Sequence, residues 1–359
     1  MAARQLLSPG AMLKVFSYNT WSSSPTHSPF QTHSLLRTLG HVSRDGAGVI
    51  ALQEVTPELG ALVRAEDWVK RDWLITSDKD YLNAAGEPPK GGHGTGSYRG
   101  GVKPKPGGKE AVMLMVKRSL VGQGSGVSIA RLPVPRDDRG RALLTFDLHQ
   151  NNKLIVRPSN HSPPLISSPN SPRTHSQLRL CTSHFTALPL NAPFRKRQYD
   201  QTIQALLAHP RAPVHLILAD TNASVEHELT PFHPFTDAFL VSPACPPPPP
   251  GFSTGRASAQ DVRLYQERLF AAGPTFGHLY PWVPGAPRKK PRKPRRIDRV
   301  WVNGAAEVVA YGERGGQEPV RESEGGGRMR DGEGRDGWMW ESDHVGVEVT
   351  LRITGRAAP

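Results

Sequence analysis

Cysteine is nearly absent. Cys181 and Cys245 are the two in 359 residues, too few for a disulfide framework, a zinc cluster or a redox motif, which points to an intracellular, reducing setting. Long apolar runs are missing as well. No stretch approaches the roughly 18 apolar residues that a spanning helix requires, and the N-terminal MAARQLLSPGAMLK has no sustained apolar region of the secretory kind. A soluble chain is the expectation. Acidic residues are in deficit: Lys+Arg 45 stand against Asp+Glu 32, a formal charge of +13 and a pI near 10.0. Such an excess favours a polyanionic partner, nucleic acid or an anionic surface, although part of it can be a solvated basic loop. A glycine-rich phosphate loop is also lacking, because Gly91–Gly96 has neither the spacing nor a preceding strand.

What the chain does have is a series of short apolar segments that end on polar residues. Val214–Asn222 (VHLILADTN) is the clearest: a buried strand whose carboxyl end carries Asp220 and Asn222, two apart and therefore on one side of an extended chain. Asp and Asn also favour turns, so this pair alone leaves a turn and a site equally open. Leu13–Asn19 alternates like a strand and ends on Asn19. Val49–Glu54 (VIALQE) is a second buried strand ending on a carboxylate, with Thr56 as N-cap and Pro57 in the first turn of a following helix. Leu178–His184 delivers His184 to a strand end, where a lone histidine is more often structural than catalytic. Arg296–Val302 (RIDRVWV) embeds Asp298 among apolar neighbours, and an acid there needs a partner. Glu341–Leu351 (ESDHVGVEVTL) places Asp343 and His344 before a final alternating strand and offers one.

Helices are expected over Ser34–His41 and from Arg195 to about Leu207. Further strands are expected within Glu110–Val121 and over Ala142–Leu148, and a short strand or turn over Phe235–Leu240. Glycine, proline, serine and charge cluster between these elements. Residues 84–109, 150–177, 243–260, 284–295 and 312–337 therefore read as flexible insertions within one catalytic domain spanning 12–353. At this length two domains are the starting expectation, but removing the insertions leaves enough for one large core. Pro246–Pro250 is a polyproline spacer, either a linker or an SH3-type ligand. Pro287–Arg296 (PRKKPRKPRR) has seven cations and no acid, the composition of a nuclear import signal, a phosphate-backbone contact or a solvated loop.

Asn19, Glu54, His184, Asp220, Asn222, Asp298, Asp343 and His344 lie almost entirely at strand ends, and polar side chains converging on one edge of buried sheets suggest one site. Hard oxygen ligands without a Cys/His cluster favour Mg²⁺ or Mn²⁺ over structural zinc. With histidine available as acid or electrophile, the chemistry indicated is metal-assisted displacement at phosphorus.

The order SYN, LQE, TSH, ADTN, RIDR, SDH resembles the endonuclease/exonuclease/phosphatase superfamily of metal-dependent phosphoesterases, from Leu13 to Leu351. Within it, the Asp-Thr-Asn form of the central motif, Thr-Ser-His before it and the paired RIDRV and SDHVG strands resemble the tyrosyl-DNA phosphodiesterase 2 branch. That resemblance implies a four-layer α/β/β/α sandwich of two mixed sheets, as in DNase I. It implies Glu54 as the main Mg²⁺ ligand with Asp343 in support, and Asp220 as the base for the attacking water. Asn19 and Asn222 would bind the phosphate and the water, His344 paired to Asp298 would stabilise developing charge, and His184 would contact the scissile phosphate. Arg195 is an expected substrate contact. The implied activity is Mg²⁺-dependent cleavage of nucleic acid, at 5′-phosphotyrosyl DNA ends, by a nuclear or cytoplasmic monomer without membrane association. RNA 3′-end cleavage, inositol polyphosphate hydrolysis and a non-catalytic nucleic-acid binder are the alternatives. Two departures stand out: Trp21 sits where several relatives carry an acid, and Ala219 replaces the glycine that usually precedes the central aspartate.

Overall fold

The computed structural model describes residues 9–20, 29–76, 111–120, 125–132, 143–150, 175–185, 187, 191–208, 213–223, 235–252, 254–276, 295–315, 329–330, 336–337, 342 and 344–354. The order is β1 (Met12–Asn19), α1 (Pro29–Arg44), β2 (Ala47–Val55), α2 (Pro57–Ala65), α3 (Asp67–Asp72), β3 (Trp73–Ile75), β4 (Ala111–Lys117), β5 (Ser125–Leu132), β6 (Leu143–Gln150) and β7 (His175–His184). There follow α4 (Ala192–Leu207), β8 (Val214–Asp220), β9 (Thr236–Asp237), α5 (Ala259–Ala272), β10 (Asp298–Gly304), β11 (Ala306–Arg314), β12 (Met329–Arg330), β13 (Asp336–Gly337) and β14 (Gly346–Ile353).

Two six-stranded sheets carry the fold, in the orders β11-β14-β1-β2-β4-β3 and β5-β6-β7-β8-β10-β9, with β12 and β13 forming a separate ribbon. Each large sheet has one parallel pair at its centre, β1 with β2 and β7 with β8, and antiparallel neighbours outside it. The sheets meet face to face because alternate residues of their central strands are apolar. Leu13, Val15, Val49, Ala51, Leu114 and Val349 pack against Leu178, Leu180, Leu216, Leu218 and Val300 in one buried cluster.

The opposite faces are covered by helices. Phe16, Tyr18, Ile50, Leu52 and Met113 of the first sheet lie under Leu35, Leu39 and Val42 of α1 and Leu59 and Val63 of α2. Cys181, Ile217 and Trp301 of the second lie under Tyr199, Ile203 and Leu206 of α4. Helix, sheet, sheet, helix is the four-layer sandwich expected. Among the described residues no helix is long and apolar enough to cross a membrane.

Local chemistry explains the boundaries. Thr56 caps α2 by accepting from the Leu59 backbone N–H at 3.1 Å, with Pro57 at the first helical position. α1 begins at Pro29, earlier than the expected Ser34, and α4 at Ala192 rather than Arg195. Prolines in their first turns sacrifice no hydrogen bond there.

Three expectations are corrected. Gly312–Arg314 do not belong to a flexible stretch: they complete β11, paired with Glu348, Val347 and Gly346 of β14, and Arg314 bridges to Glu348 and Asp45. Residues 243–252 and 254–260 are likewise built into turns and the start of α5, with Cys245 N donating to Ser242 O, Phe252 N to Pro249 O and Arg256 N to Gly251 O. Gln150 and residues 175–177 lie in the β6/β7 ladder, which pairs Gln150 with His175. Within 312–337 the short strands β12 and β13 also pair, Met329 with Gly337 and Arg330 with Asp336; residues 84–109, 151–174, 253, 284–294, 316–328 and 331–335 of the expected insertions lie outside the described residues.

Candidate active site

The alternation that builds the inter-sheet core also builds the site, because at the carboxyl ends of the central strands the inward positions become polar. On β7 the inward series Leu178, Leu180, Thr182 ends at His184; on β8 Val214, Leu216, Leu218 ends at Asp220. Ladder register places these ends together. His184 is the direct partner of Asp220 across the parallel β7/β8 pair, and Asp298 is its partner across the antiparallel β8/β10 pair. On β1, Leu13 and Val15 are followed inward by Ser17 and Asn19.

Glu54 breaks the rule in an informative way. Ile50 and Leu52 face the helices, so simple parity would turn Glu54 outward too. Its backbone instead adopts φ 54°, left-handed and unusual outside glycine, at a register shift of the β2/β4 ladder between Leu52 and Val55. The side chain thereby reaches the inter-sheet edge, where Glu54 Oε1 accepts from Asn19 Nδ2 at 3.1 Å and lies 3.5 Å from His184 Nε2. The Thr20 hydroxyl lies 3.0 Å from both Gln53 O and Glu54 O, holding this irregular turn of chain.

Asp220 is the centre of the cluster. Its Oδ2 accepts from Asn19 Nδ2 at 2.7 Å and lies 3.4 Å from His184 Nε2 and 4.0 Å from His344 Nε2. Its Oδ1 accepts from the backbone N–H of Asn222 at 2.8 Å. Asn222 itself has φ 50° and donates from Nδ2 to Phe185 O at 3.0 Å, so its side chain is directed at the β7 end. Asp220 is 1 % exposed. Burial, and then the charges of Asp298 and Glu54, push its carboxyl up to about 7, against the opposing effects of His344 and the Asn222 N–H.

On the far side, His344 Nδ1 is 2.8 Å from Asp298 Oδ2, both buried, which leaves Nε2 directed toward Asp220. Among the described residues Asp298 Oδ1 is buried without a hydrogen-bond partner.

Several supporting residues were not legible as such in the sequence. Thr275 Oγ1 accepts from Ile297 N and Asp298 N, while Thr275 O accepts from Val345 N, so one residue ties both members of the Asp298–His344 pair. Ser342 Oγ donates to Asn19 O at 2.8 Å and accepts from His344 N at 3.1 Å, joining the two edges of the site. Phe276 packs on the His344 ring, centroids 4.8 Å apart. Beneath the cluster, Gln53 Nε2 bridges Ser17 and Thr182 across the sheets. Position next to a motif residue was the one available signal for Thr20 and Ser342; Thr275 carried none.

The structure thus brings Asn19, Glu54, His184, Asp220, Asn222, Asp298 and His344 together from both sheets. Asp343 lies outside the described residues. Arg195 is corrected: it is fully buried in the first turn of α4 and presents no surface to a substrate.

The donor set suits a divalent cation. Glu54, His184 and Asp220 offer ligand atoms within 4.8 Å of one another, as do Asp220, Asp298 and His344. Burial, and then the neighbouring carboxylates Asp298 and Glu54, disfavour the Asp220 charge, and a bound cation would offset both. Carboxylate oxygens of this kind are the donors a hard divalent cation takes, with His184 and His344 at its edge.

Comparison with known proteins agrees with this architecture. No curated protein sequence matches the chain significantly. Among solved structures, the truncated TDP2 of Caenorhabditis elegans superposes with a TM-score of 0.56 at 12% identity, covering 96% of this chain and 99% of that one. D. rerio TDP2 complexed with single strand DNA product gives 0.52 at 14% identity, over 95% and 98%. An endonuclease/exonuclease/phosphatase from Bacteroides vulgatus gives 0.51 at 11%, over 96% and 99%. At these identities the likeness concerns the fold. The model of the Endonuclease/Exonuclease/phosphatase family matches residues 16–344, and this chain therefore belongs to that family.

Proposed function

We propose that the chain is a divalent-metal-dependent phosphodiesterase acting on nucleic acid, with DNA ends that carry a 5′-phosphotyrosyl bond as substrate. The observation that carries this reading is the convergence of Glu54 and Asn19 from one sheet on Asp220 and His184 from the other, with the Asp298–His344 pair alongside. Glu54, with Asp343 in support, would hold Mg²⁺ or Mn²⁺ beside Asp220. When bound, the cation supplies Lewis acidity and charge neutralisation at the phosphoryl group.

The protein's own groups account for the rest of the reaction. Asp220 takes a proton from the attacking water, whose oxygen forms the new bond to phosphorus as the P–O bond to tyrosine breaks, and the departing tyrosinate takes a proton from solvent. Asn222 N–H and Asn19 Nδ2 fix both carboxylate oxygens, so the base is aimed before substrate arrives. His344, oriented from behind by Asp298, donates through Nε2 to the phosphoryl oxygens as negative charge develops. His184 meets the same phosphate from the β7 side, and the Asn222 amide completes the donors. The products are a 5′-phosphate and a tyrosyl peptide. A charge of +13 supports a polyanionic substrate, and the D. rerio fold relative was crystallised with single strand DNA product.

Incubation with Mg²⁺ and, separately, a 5′-tyrosyl oligonucleotide, a 3′-oligo(A) RNA and an inositol polyphosphate, each with an EDTA control, tests the reading. Metal-dependent consumption of the tyrosyl substrate is expected. Consumption of one of the others in its place refutes the substrate, and turnover of none refutes the enzyme and favours a binding protein.

A further inference from the structure

The phosphodiesterase reading leaves unused the run Pro246–Pro250, which precedes Gly251 and Phe252 on the way to α5. Each of Pro246–Pro249 is fixed in φ by its own ring and barred from the helical region by the proline after it, so this segment is held in polyproline II conformation. Exposure follows the three-residue turn of that helix. Pro246 and Pro249, three apart, are half-buried against the body of the protein, whereas Pro247, Pro248 and Pro250 are exposed. One edge of a three-sided rod rests on the protein, and two edges face solvent.

Both ends of the rod are anchored. On one side Cys245 N donates to Ser242 O, and Cys245 Sγ lies 3.9 Å from the Tyr265 hydroxyl. On the other, Phe252 packs edge-on against Tyr265, centroids 5.0 Å apart, and its N–H donates to Pro249 O. Beyond Phe252 the chain doubles back, with Arg256 N donating to Gly251 O at 2.8 Å. Arg256 is exposed, and this turn sets a guanidinium-bearing residue beside the end of the rod although it is six positions from Pro250 in sequence.

We propose that Pro247–Pro250 together with Arg256 is a ligand for an SH3-type domain, with Pro247 and Pro250 as the PxxP pair and Arg256 as the cation for an acidic pocket at the groove's rim. Such grooves are lined by aromatic rings and accept two edges of a polyproline II rod, the two this segment leaves open. Because the rod is stiff and anchored at both ends, little chain entropy is lost when it docks. Arginine adds a planar charged fork for a carboxylate rim, and the chain's overall positive charge favours an acidic partner. This assignment is independent of the substrate.

The full-length chain is titrated by calorimetry against purified SH3 domains of both ligand orientations, with a WW domain and an EVH1 domain as further probes. Saturable micromolar binding to SH3 domains is expected. The double variant Pro247→Ala/Pro250→Ala and the single variant Arg256→Glu should each weaken it at least about tenfold. Both variants should keep the parent's Tm. Absence of SH3 binding at millimolar domain concentration, binding confined to the WW or EVH1 probe, or SH3 affinity unchanged in the double variant would each overturn the proposal.

Discussion

Replacing Asp220 by Asn separates the cost of the site from its use. In the metal-free protein the Asp220 carboxyl is displaced from 3.8 to about 7, chiefly by burial and then by the charges of Asp298 and Glu54. The native state therefore binds this proton more tightly than the unfolded chain does. The stability it contributes is fully present below the unfolded pKa and is lost as pH rises through the folded one. Once ionised, the group opposes folding by about 4 kcal/mol, of which about 3 kcal/mol accrues between pH 5 and pH 8. Asparagine keeps an oxygen that can accept from Asn19 Nδ2 or Asn222 N but carries no charge.

Thermal unfolding of both proteins in EDTA at the two pH values should show a gap that opens with pH. Asp220→Asn should have a Tm above the parent's at both pH values, by a clearly larger margin at about pH 8 than at about pH 5. Glu313, also raised to about 7 by burial, titrates in both proteins and cancels in the comparison. Excess Mg²⁺ should raise the Tm of both proteins, since each keeps Glu54, and raise the parent's more at about pH 8, where the cation also offsets the Asp220 charge. A variant less stable than the parent at both pH values would refute the reasoning, since Asp220 would then be a structural acceptor and not a strained functional charge.

Thr20→Val removes the hydroxyl facing the Gln53 and Glu54 carbonyls, so Glu54 should relax from its left-handed backbone; a roughly tenfold weaker Mn²⁺ affinity in calorimetry is expected, with Thr20→Ser near the parent. Asp298→Asn removes the charge behind His344 and should lower kcat by about 10²–10⁴ with KM little changed, checked by steady-state kinetics. Gly346→Ala places a methyl against the Phe16 ring and 2.6 Å from Arg314 O in the β11/β14/β1 interface, and urea unfolding should show a loss of about 1–3 kcal/mol.

Much of the site could be read from strand ends because the period of two makes a polar residue after several apolar ones conspicuous. His184 and Asp220 follow their strands' inward series without interruption. Glu54 could be read as a strand-end acid but not as an inward one, since its direction depends on a bulge and a positive φ that no local pattern announces. The same cause hid β11: a register shift between Val308 and Ala310 breaks the alternation of AEVVAYGER, so that the sequence looks irregular. α5 was obscured by the prolines before it, although Ser258 accepting from Asp261 N at 3.1 Å is a capping pattern visible in SAQD. Arg195 misled because a cation opening a helix beside the site resembles a phosphate contact; only its burial shows otherwise.

On the proposed function, the two sheets together form one metal-dependent phosphodiesterase site. The most direct measurement is the initial rate of 5′-phosphate formation from a 5′-tyrosyl oligonucleotide as Mg²⁺ is varied, for the parent, Glu54→Ala and Asp220→Asn. A saturable rise with Mg²⁺ in the parent is expected, with a loss of at least about 10³-fold in each variant while the fold is retained. Equal rates in EDTA and Mg²⁺, or variants as active as the parent, would contradict it.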